Sequence, residues 1–444
     1  MKLRYFSLLT FSFLMFPSCS TDDTVEPVPI DKEEPTEEEV EERKNVPPDS
    51  FNLTALKNGA TGVDTNPMLS WEAAVDQNKD AVTYDVYLDN HESPATKIAE
   101  NLTTLEWVIT ENLEKEATYF WRVVAKDANN AETESAAIFS FTTRGLLFSE
   151  TAVVANAAFS KRNHHSLIEF NDKLWLIGGI DDSFNLNEIW SSTDGENWTL
   201  VAEDALNLPP IEHTSLVYNN KLWVISGSFN RVWSSGNGID WVEETSSAAF
   251  SNRKGHASVV FDDKMWVIGG HYDGITLNDV WYSTDGITWT EAIESAAFSP
   301  RAEHTVHIMN NTLYLMGGAS VENFSQRFYN DIYSSTDGIH WTQISTTSVF
   351  PVRSSHTAVT FDNKMWVTGG WSAIVNQETT MQDVVSYNDT WFSEDGISWT
   401  QLTVDASFTG RLNHTATVFN NKIIITGGME IISSEMFNDI WTIE

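Results

Sequence analysis

Residues 250–291 read FSNRKGHASVVFDDKMWVIGGHYDGITLNDVWYSTDGITWTE, and from about residue 147 to its end the chain is built from copies of this stretch. Four short runs stand out within it: His256–Phe261, Lys264–Ile268 running into Gly269-Gly270, Asp279–Ser283 and Thr288–Glu291. They are rich in Val, Ile, Trp and Tyr, and Gly, Asn or Asp bounds each one. This pattern predicts the four strands of an all-β unit. A single unit of this kind cannot bury both faces of its sheet, whereas copies arranged around an axis can.

A histidine opens the first strand of each copy: His165, His213, His256, His304, His356 and His414. Six copies predict a closed ring of six sheets more readily than an open array. Each first strand is followed by a two-residue turn: Asn171-Asp172, Asn219-Asn220, Asp262-Asp263, Asn310-Asn311, Asp362-Asn363 and Asn420-Asn421. Asn and Asp tolerate positive φ, as tight hairpin turns require. A glycine pair then closes the second strand, at Gly178-Gly179, Gly269-Gly270, Gly317-Gly318, Gly369-Gly370 and Gly427-Gly428, with Ser226-Gly227 in the second copy. A side chain is unwelcome there if neighbouring sheets approach closely.

The diglycine, the Asn278-Asp279-Val280-Trp281 pattern of the third strand and Trp289 eight residues later resemble Kelch repeats, and the likeness covers all six copies. The second copy departs most, with Asn230-Arg231 for Asn-Asp and Pro210 for the usual Arg. Five copies also carry Ser-x-Asp-Gly-x-x-Trp, as in Ser283–Trp289, with Asn237 replacing Asp in the second. This resembles a sialidase Asp-box shortened by one residue, which implies a structural hairpin rather than a site. The sixth copy stops at Trp441–Glu444, after its third strand. Residues 150–159 align without gaps to 289–298, so Leu147–Val154 is expected to pair with Asn438–Ile443 and complete the sixth sheet. Closure of this kind leaves no open edge to aggregate.

Upstream, residues 49–144 form a different unit. Its strand-like runs are Met68–Glu72, Val82–Leu88, Glu106–Ile109, Tyr119–Ala125 and Ile138–Thr142. Alternation in Tyr84–Leu88 and Tyr119–Ala125 predicts half-buried antiparallel strands. Leu69-Ser70-Trp71, then Leu113, Tyr119, Trp121, Val123 and Ala125, resemble a fibronectin type III domain, with Tyr119 where its tyrosine corner falls. The expected fold class is therefore all-β: a six-bladed Kelch-type β-propeller over residues 145–444, preceded by a fibronectin type III-like β-sandwich that acts as a spacer.

Residues 20–48 are acidic, Pro-rich and poor in apolar side chains, the composition of a disordered tether. Before them, Lys2 and Arg4 precede the apolar run Tyr5–Phe16 and Pro17-Ser18-Cys19, a signal too short to anchor permanently. It resembles a bacterial lipoprotein signal, in which Cys19 would be lipidated; the alternative is an ordinary secretory signal with an incidental cysteine. The acidic start Ser20–Asp23 resembles the tag that sends lipoproteins to the surface of some Gram-negative bacteria. The expected location is thus the outer membrane, cell-surface exposed, with membrane contact only through the lipid. Cys19 is the sole cysteine, which excludes an internal disulfide and a Cys-based metal site. Net charge is −37, and nucleic acid is not an expected partner because phosphate binding needs clustered Lys and Arg. No cofactor or metal is expected, and acidic loops such as Asp181-Asp182 lack a calcium-loop spacing. A monomer is expected.

In a four-strand meander the short Asn/Asp and Asp-Gly turns fall on one face of the disc. The second-to-third loops and the links between copies fall on the other, and this variable face is the expected binding face. There, Arg162, Arg253, Arg301, Arg353 and Arg411 precede the marker histidines by three residues. One reading has them ring the channel mouth and bind carboxylates or an anionic sugar; the other makes them consensus residues bridging neighbouring blades. A histidine ring spread about an axis does not converge as metal ligands must. Non-repeated candidates are Glu212 and Glu303, each just before a marker histidine, and His271 with Tyr272. Ala319–Tyr329, with Phe324, Arg327 and Phe328, and the long Trp371–Tyr387 loop complete the set. Trp371 is either an exposed platform for a sugar ring or a packed residue.

Two functions follow. The first is a surface-tethered binding module for a glycan or a partner protein, as the Kelch resemblance generally implies. The second is a sugar-acting enzyme. Galactose-oxidase-type chemistry, which needs a Tyr–Cys crosslink and copper, is excluded by the cysteine count. A resemblance to sialic-acid mutarotases would instead make Glu212 or Glu303 a general acid/base and the arginines clamps for the sugar carboxylate.

Overall fold

The computed structural model describes residues 44–206, 212–225, 227, 229–322, 325–375, 382–402 and 407–444. Cys19, the signal segment and all of the tether before Lys44 lie outside them, as do Pro210, Ser226, Phe324 and the middle of the Trp371–Tyr387 loop. The chain divides into two compact units, Met1–Thr143 and Arg144–Glu444.

In the first unit the alternating apolar residues predicted for Tyr84–Leu88 and Tyr119–Ala125 fall in two central strands, Thr83–Asp89 and Thr118–Lys126, which pair antiparallel. Lys97–Leu102 flanks one side; Phe139–Thr143 and then Ala60–Val63 flank the other, the last pair running parallel. Met68–Ser70 and Glu106–Val108 form a separate two-stranded sheet. Between them lie Leu69, Trp71, Tyr84, Val86, Trp121, Val123 and Phe141, all buried. The Tyr119 hydroxyl accepts a hydrogen bond from the Glu114 amide at 3.1 Å, pinning the turn that leads into its own strand.

The second unit contains five four-stranded antiparallel sheets and one three-stranded sheet among the described residues. The third copy shows how sequence dictates the meander. Asp262 and Asp263 take φ of 50° and 52°, and equivalent positive values recur at the five other Asn/Asp pairs. Such turns match the twist of the strands they join, here Ala257–Phe261 and Lys264–Tyr272. At the Asp-Gly turn, Ser283 Oγ accepts from the Gly286 amide at 2.8 Å and Asp285 Oδ1 from the Ile287 and Thr288 amides at 2.8 and 2.7 Å. A Cβ on Gly286 would sit 2.0 Å from the Trp223 ring of the preceding copy, so this turn is a packing device.

The glycine pair answers to two neighbours. A Cβ on Gly270 would lie 2.9 Å from the Lys254 carbonyl of its own copy, and one on Gly269 would lie 2.9 Å from the Arg301 carbonyl of the next. The same contact joins the last copy to the first, Gly427 against the Arg162 carbonyl at 2.9 Å. First strands face a common axis and are linked in sequence by their polar openings. His213 Nε2 meets Ser166 Oγ at 2.9 Å, His256 meets Thr214 at 3.0 Å, His356 meets Thr305 at 3.1 Å and His165 meets Thr415 at 3.0 Å.

Along the sixth sheet, Leu147 and Ser149 donate to Glu444 and Thr442 at 3.0 and 2.8 Å, and Val153 donates to Ile440 at 2.8 Å. Phe148 and Val154 sit opposite Ile443 and Ile440. Segment 147–154 therefore runs antiparallel beside Ile440–Ile443, and Phe148 packs against Phe408 and Trp441.

Candidate functional site

The five arginines do not ring the mouth. Arg162, Arg253, Arg301, Arg353 and Arg411 are at most 1% exposed. Each guanidinium donates to a diglycine carbonyl, as Arg353 does to Gly369 at 2.8 Å. Each also pairs with the acid of its own third strand: Glu188, Asp279, Asp331, Asp389 and Asp439 respectively. In four of the copies that acid accepts the neighbouring indole N–H as well, as Asp279 does from Trp281 at 2.7 Å; the fourth copy has Tyr333 in place of the tryptophan. An aromatic face covers the guanidinium, with Tyr329 4.3 Å from Arg301 and Tyr387 4.3 Å from Arg353. Every guanidinium nitrogen is hydrogen-bonded within the protein, and burial keeps all five from facing a ligand. The side-chain partners just named belong to the arginine's own copy, while the backbone bridges neighbouring blades: the Arg301 amide donates to the Leu277 carbonyl at 3.0 Å and its carbonyl accepts from the Gly270 amide at 2.9 Å, both in the preceding copy. The arginine side chain locks five of the sheets internally, while the marker histidines His165, His213, His256 and His356 tie theirs to the preceding one.

Those histidines are buried. Burial, reinforced by the adjacent arginine charge, pushes His256, His304 and His414 down to about 3, so they are neutral throughout the ordinary pH range.

What lines the mouth is the residue immediately before each histidine: His164, Glu212, Gly255, Glu303, Ser355 and Asn413. All six are left-handed, with φ from 46° to 58°. Their backbones form a cooperative chain, in which Glu303 donates to Gly255 at 2.7 Å, Ser355 to Glu303 at 2.9 Å, Asn413 to Ser355 at 3.0 Å and His164 to Asn413 at 3.1 Å. They and the marker histidines enclose a cavity of about 220 Å³. Glu212 is paired to Lys254 at 3.0 Å. The Ser355 hydroxyl donates to Glu303, and His164 Nδ1 contacts the Asn163 side-chain oxygen. Burial lowers the His164 pKa; Glu212 and Glu303 oppose that shift and Lys254 adds to it. The mouth thus offers two carboxylates, an imidazole, an ammonium, a hydroxyl and an amide. Below it the channel continues between first strands, past Ser215, Ser258 and His307, and burial pushes His307 down to about 4.

The sequence-predicted candidates separate accordingly. Glu212 and Glu303 come together at the mouth with His164, Ser355, Asn413 and Lys254, which sequence reasoning missed. The signal was present as a column: a position next to the repeated histidine that varies between copies, with only glutamate occurring twice. His271 and Tyr272 lie elsewhere, beside a second cavity of about 440 Å³ that Lys254 also lines. Arg327 is exposed on a hairpin, its guanidinium 5.3 Å from the Tyr329 ring centre. Trp371 is a packed residue, half-buried edge-on against Phe328 at 4.9 Å, and is not an open platform. These residues belong to hairpins that rise from the third, fourth and fifth sheets. They lean on one another, with the Val321 amide donating to Thr276 Oγ1 at 3.1 Å.

The family model for the KLHDC2/KLHL20/DRC7 Kelch-repeats domain matches residues 237–370. The Ras guanine nucleotide exchange factor F of Dictyostelium discoideum is 34% identical over 105 residues. That match covers 23% of this chain and only 9% of the relative's length. Among solved structures, that of YjhT is similar with a TM-score of 0.53 at 15% identity, covering 66% of this chain and all of that one. The Kelch-repeat match over residues 237–370 and the likeness of fold to YjhT agree with the meander sheets described above and support a Kelch-type β-propeller.

Proposed function

We propose that this chain is a surface-tethered lipoprotein, lipidated at Cys19, whose six-bladed propeller binds a glycan at the mouth of its central channel. A fibronectin type III-like spacer and the acidic tether hold the propeller away from the membrane. The Tyr119 hydroxyl bond to the Glu114 amide and the buried Trp71 and Trp121 support the spacer assignment. The observation that carries the binding reading is the ring before the marker histidines. Residues that hold the repeat together, such as the marker histidine, recur from copy to copy, yet this position changes between copies and points polar groups at one cavity. Paired carboxylates, an amide and a hydroxyl suit the alternating donors and acceptors of a sugar. Because the arginines are internally paired, a neutral or amino sugar fits better than an acidic one.

The test is a glycan array with the wild type and the double variant Glu212→Gln/Glu303→Gln. Neither carboxylate belongs to the internal locks, so the variant is expected to melt normally while losing the wild-type glycan signals by about tenfold or more. Equal signals in both proteins would remove the mouth as the site. The enzyme reading keeps Glu212 and Glu303 but lacks the arginine clamps on which its sialic-acid form relied. A protein partner is favoured by one separate feature. Tyr272, Ile275, Val321 and Val385 are exposed apolar residues on adjoining hairpins of the variable face. That reading predicts binding lost in Tyr272→Ala/Ile275→Ser and kept in the glutamate double variant.

A further inference from the structure

Asp76, Asp80 and Asp127, in the N-terminal unit, bring carboxylate oxygens within 4.8 Å of one another. Their surroundings are unlike an ordinary acidic surface. Asp76 and Asp127 are only 8% and 5% exposed. Asp76 Oδ1 accepts from the Asp80 amide at 2.9 Å, but its Oδ2 is fully buried and has no hydrogen-bond partner. Asp127 Oδ1 accepts from the amides of Asn129 and Ala131 at 2.8 and 2.9 Å, which shapes the turn after the longest strand. The Asn45 side chain donates to Asp127 Oδ2 at 2.6 Å, and that of Asn129 donates to Asp80 Oδ2 at 3.1 Å and to Asn45 Oδ1 at 3.0 Å.

No Lys or Arg forms an ion pair with any of the three among the described residues. The same unit treats another buried acid differently. Asp85 is held between Lys97 at 2.6 Å and Lys126 at 2.8 Å. Burying carboxylates without a counter-charge is costly, and leaving an oxygen unpaired adds to that cost. A divalent cation removes both penalties at once.

We infer that Asp76, Asp80 and Asp127 form a calcium site that ties the 76–80 loop to the 127–131 turn. The donors are all hard oxygens, with no imidazole or thiol to favour zinc. Asn45 and Asn129 stand ready to turn their amide oxygens inward, since nitrogen and oxygen exchange places by rotation about one bond. Calcium accepts six to eight such oxygens in irregular geometry, whereas magnesium demands a near-ideal octahedron. Sequence reading expected no metal because the ligands are split between two distant loops, and no single loop carries a recognisable spacing.

The experiment is a calorimetric titration of the full, chelator-treated chain with calcium and with magnesium at physiological salt. It is repeated on Asp76→Asn and Asp80→Asn, with Asp181→Asn/Asp182→Asn as a surface-acid control. A single saturable calcium site is expected in the wild type and the control, absent from the first two variants, with magnesium at least about tenfold weaker. Without calcium, Asp76→Asn is expected to melt no lower than wild type, because it removes a repelling charge and keeps its shape. Should a variant fail to fold, hydrogen exchange on the wild type decides instead: calcium must slow exchange at residues 76–80 and 127–131. Absence of saturable binding, unaltered binding in both variants, or unaltered exchange in those two segments would overturn the site.

Discussion

Arg353 shows how one residue type can answer to structure where its chemistry suggests a ligand. Its guanidinium is spent on Gly369, Asp389 and the Pro351 carbonyl, under the face of Tyr387. Replacing it with Ala would strand the half-buried Asp389 carboxylate and the Gly369 carbonyl. The expected loss is about 3 kcal/mol or more, read as a fall in the urea midpoint. A variant as stable as wild type would mean that the lock contributes nothing. Arg353→Lys is expected to recover only part of the loss, because an ammonium cannot span both carboxylate oxygens and the carbonyl. Sequence could place this arginine before a strand but could not give its direction. The acid it pairs with, Asp389, is 36 residues away and its own loop intervenes.

At the scale of the element, the opening of each first strand couples packing to pH. A histidine whose folded pKa lies near 3 takes up no proton in the native state between there and 6.5, while the unfolded chain does. The unfolded state therefore binds more protons in that window, and stability must rise with pH across it. Equivalently, stability is fully present above about 6.5 and is lost as pH falls toward 3. Each such histidine adds up to about 1.4 kcal/mol per pH unit to the slope. The melting temperature of the propeller is thus expected to drop from pH 7 to pH 4, and His304→Gln to flatten the slope while lowering the plateau. A flat profile in the wild type would show these rings to be solvated. The strands themselves were legible: their hydrophobic runs, Asn/Asp turns and glycine pairs are local chemistry. The histidines' burial was not, since it depends on the strand of the neighbouring sheet.

For the molecule as a whole, the distribution of the sixth sheet between the two ends of the repeat region is the feature with the widest consequence. The 147–154 segment lies along Ile440–Ile443, with Phe148 between Phe408 and Trp441. Deleting residues 145–155 is expected to abolish cooperative unfolding of the propeller and to expose a strand edge that aggregates; an unchanged melt would refute closure by this segment. The sequence by itself determined the all-β class, the repeat and its six markers, the turns, and the complementarity of the two chain ends. These are periodic or local signals, and a periodic signal is reinforced by every copy. Tertiary structure alone decided that the arginines face inward and that Trp371 packs on Phe328. It also decided that six residues of five different types, each adjacent to a repeated histidine, share one cavity, and that Asp76 and Asp127 meet. Each of these depends on the distance between residues remote in the chain, and such distances are set only when the sheets of each unit pack against one another.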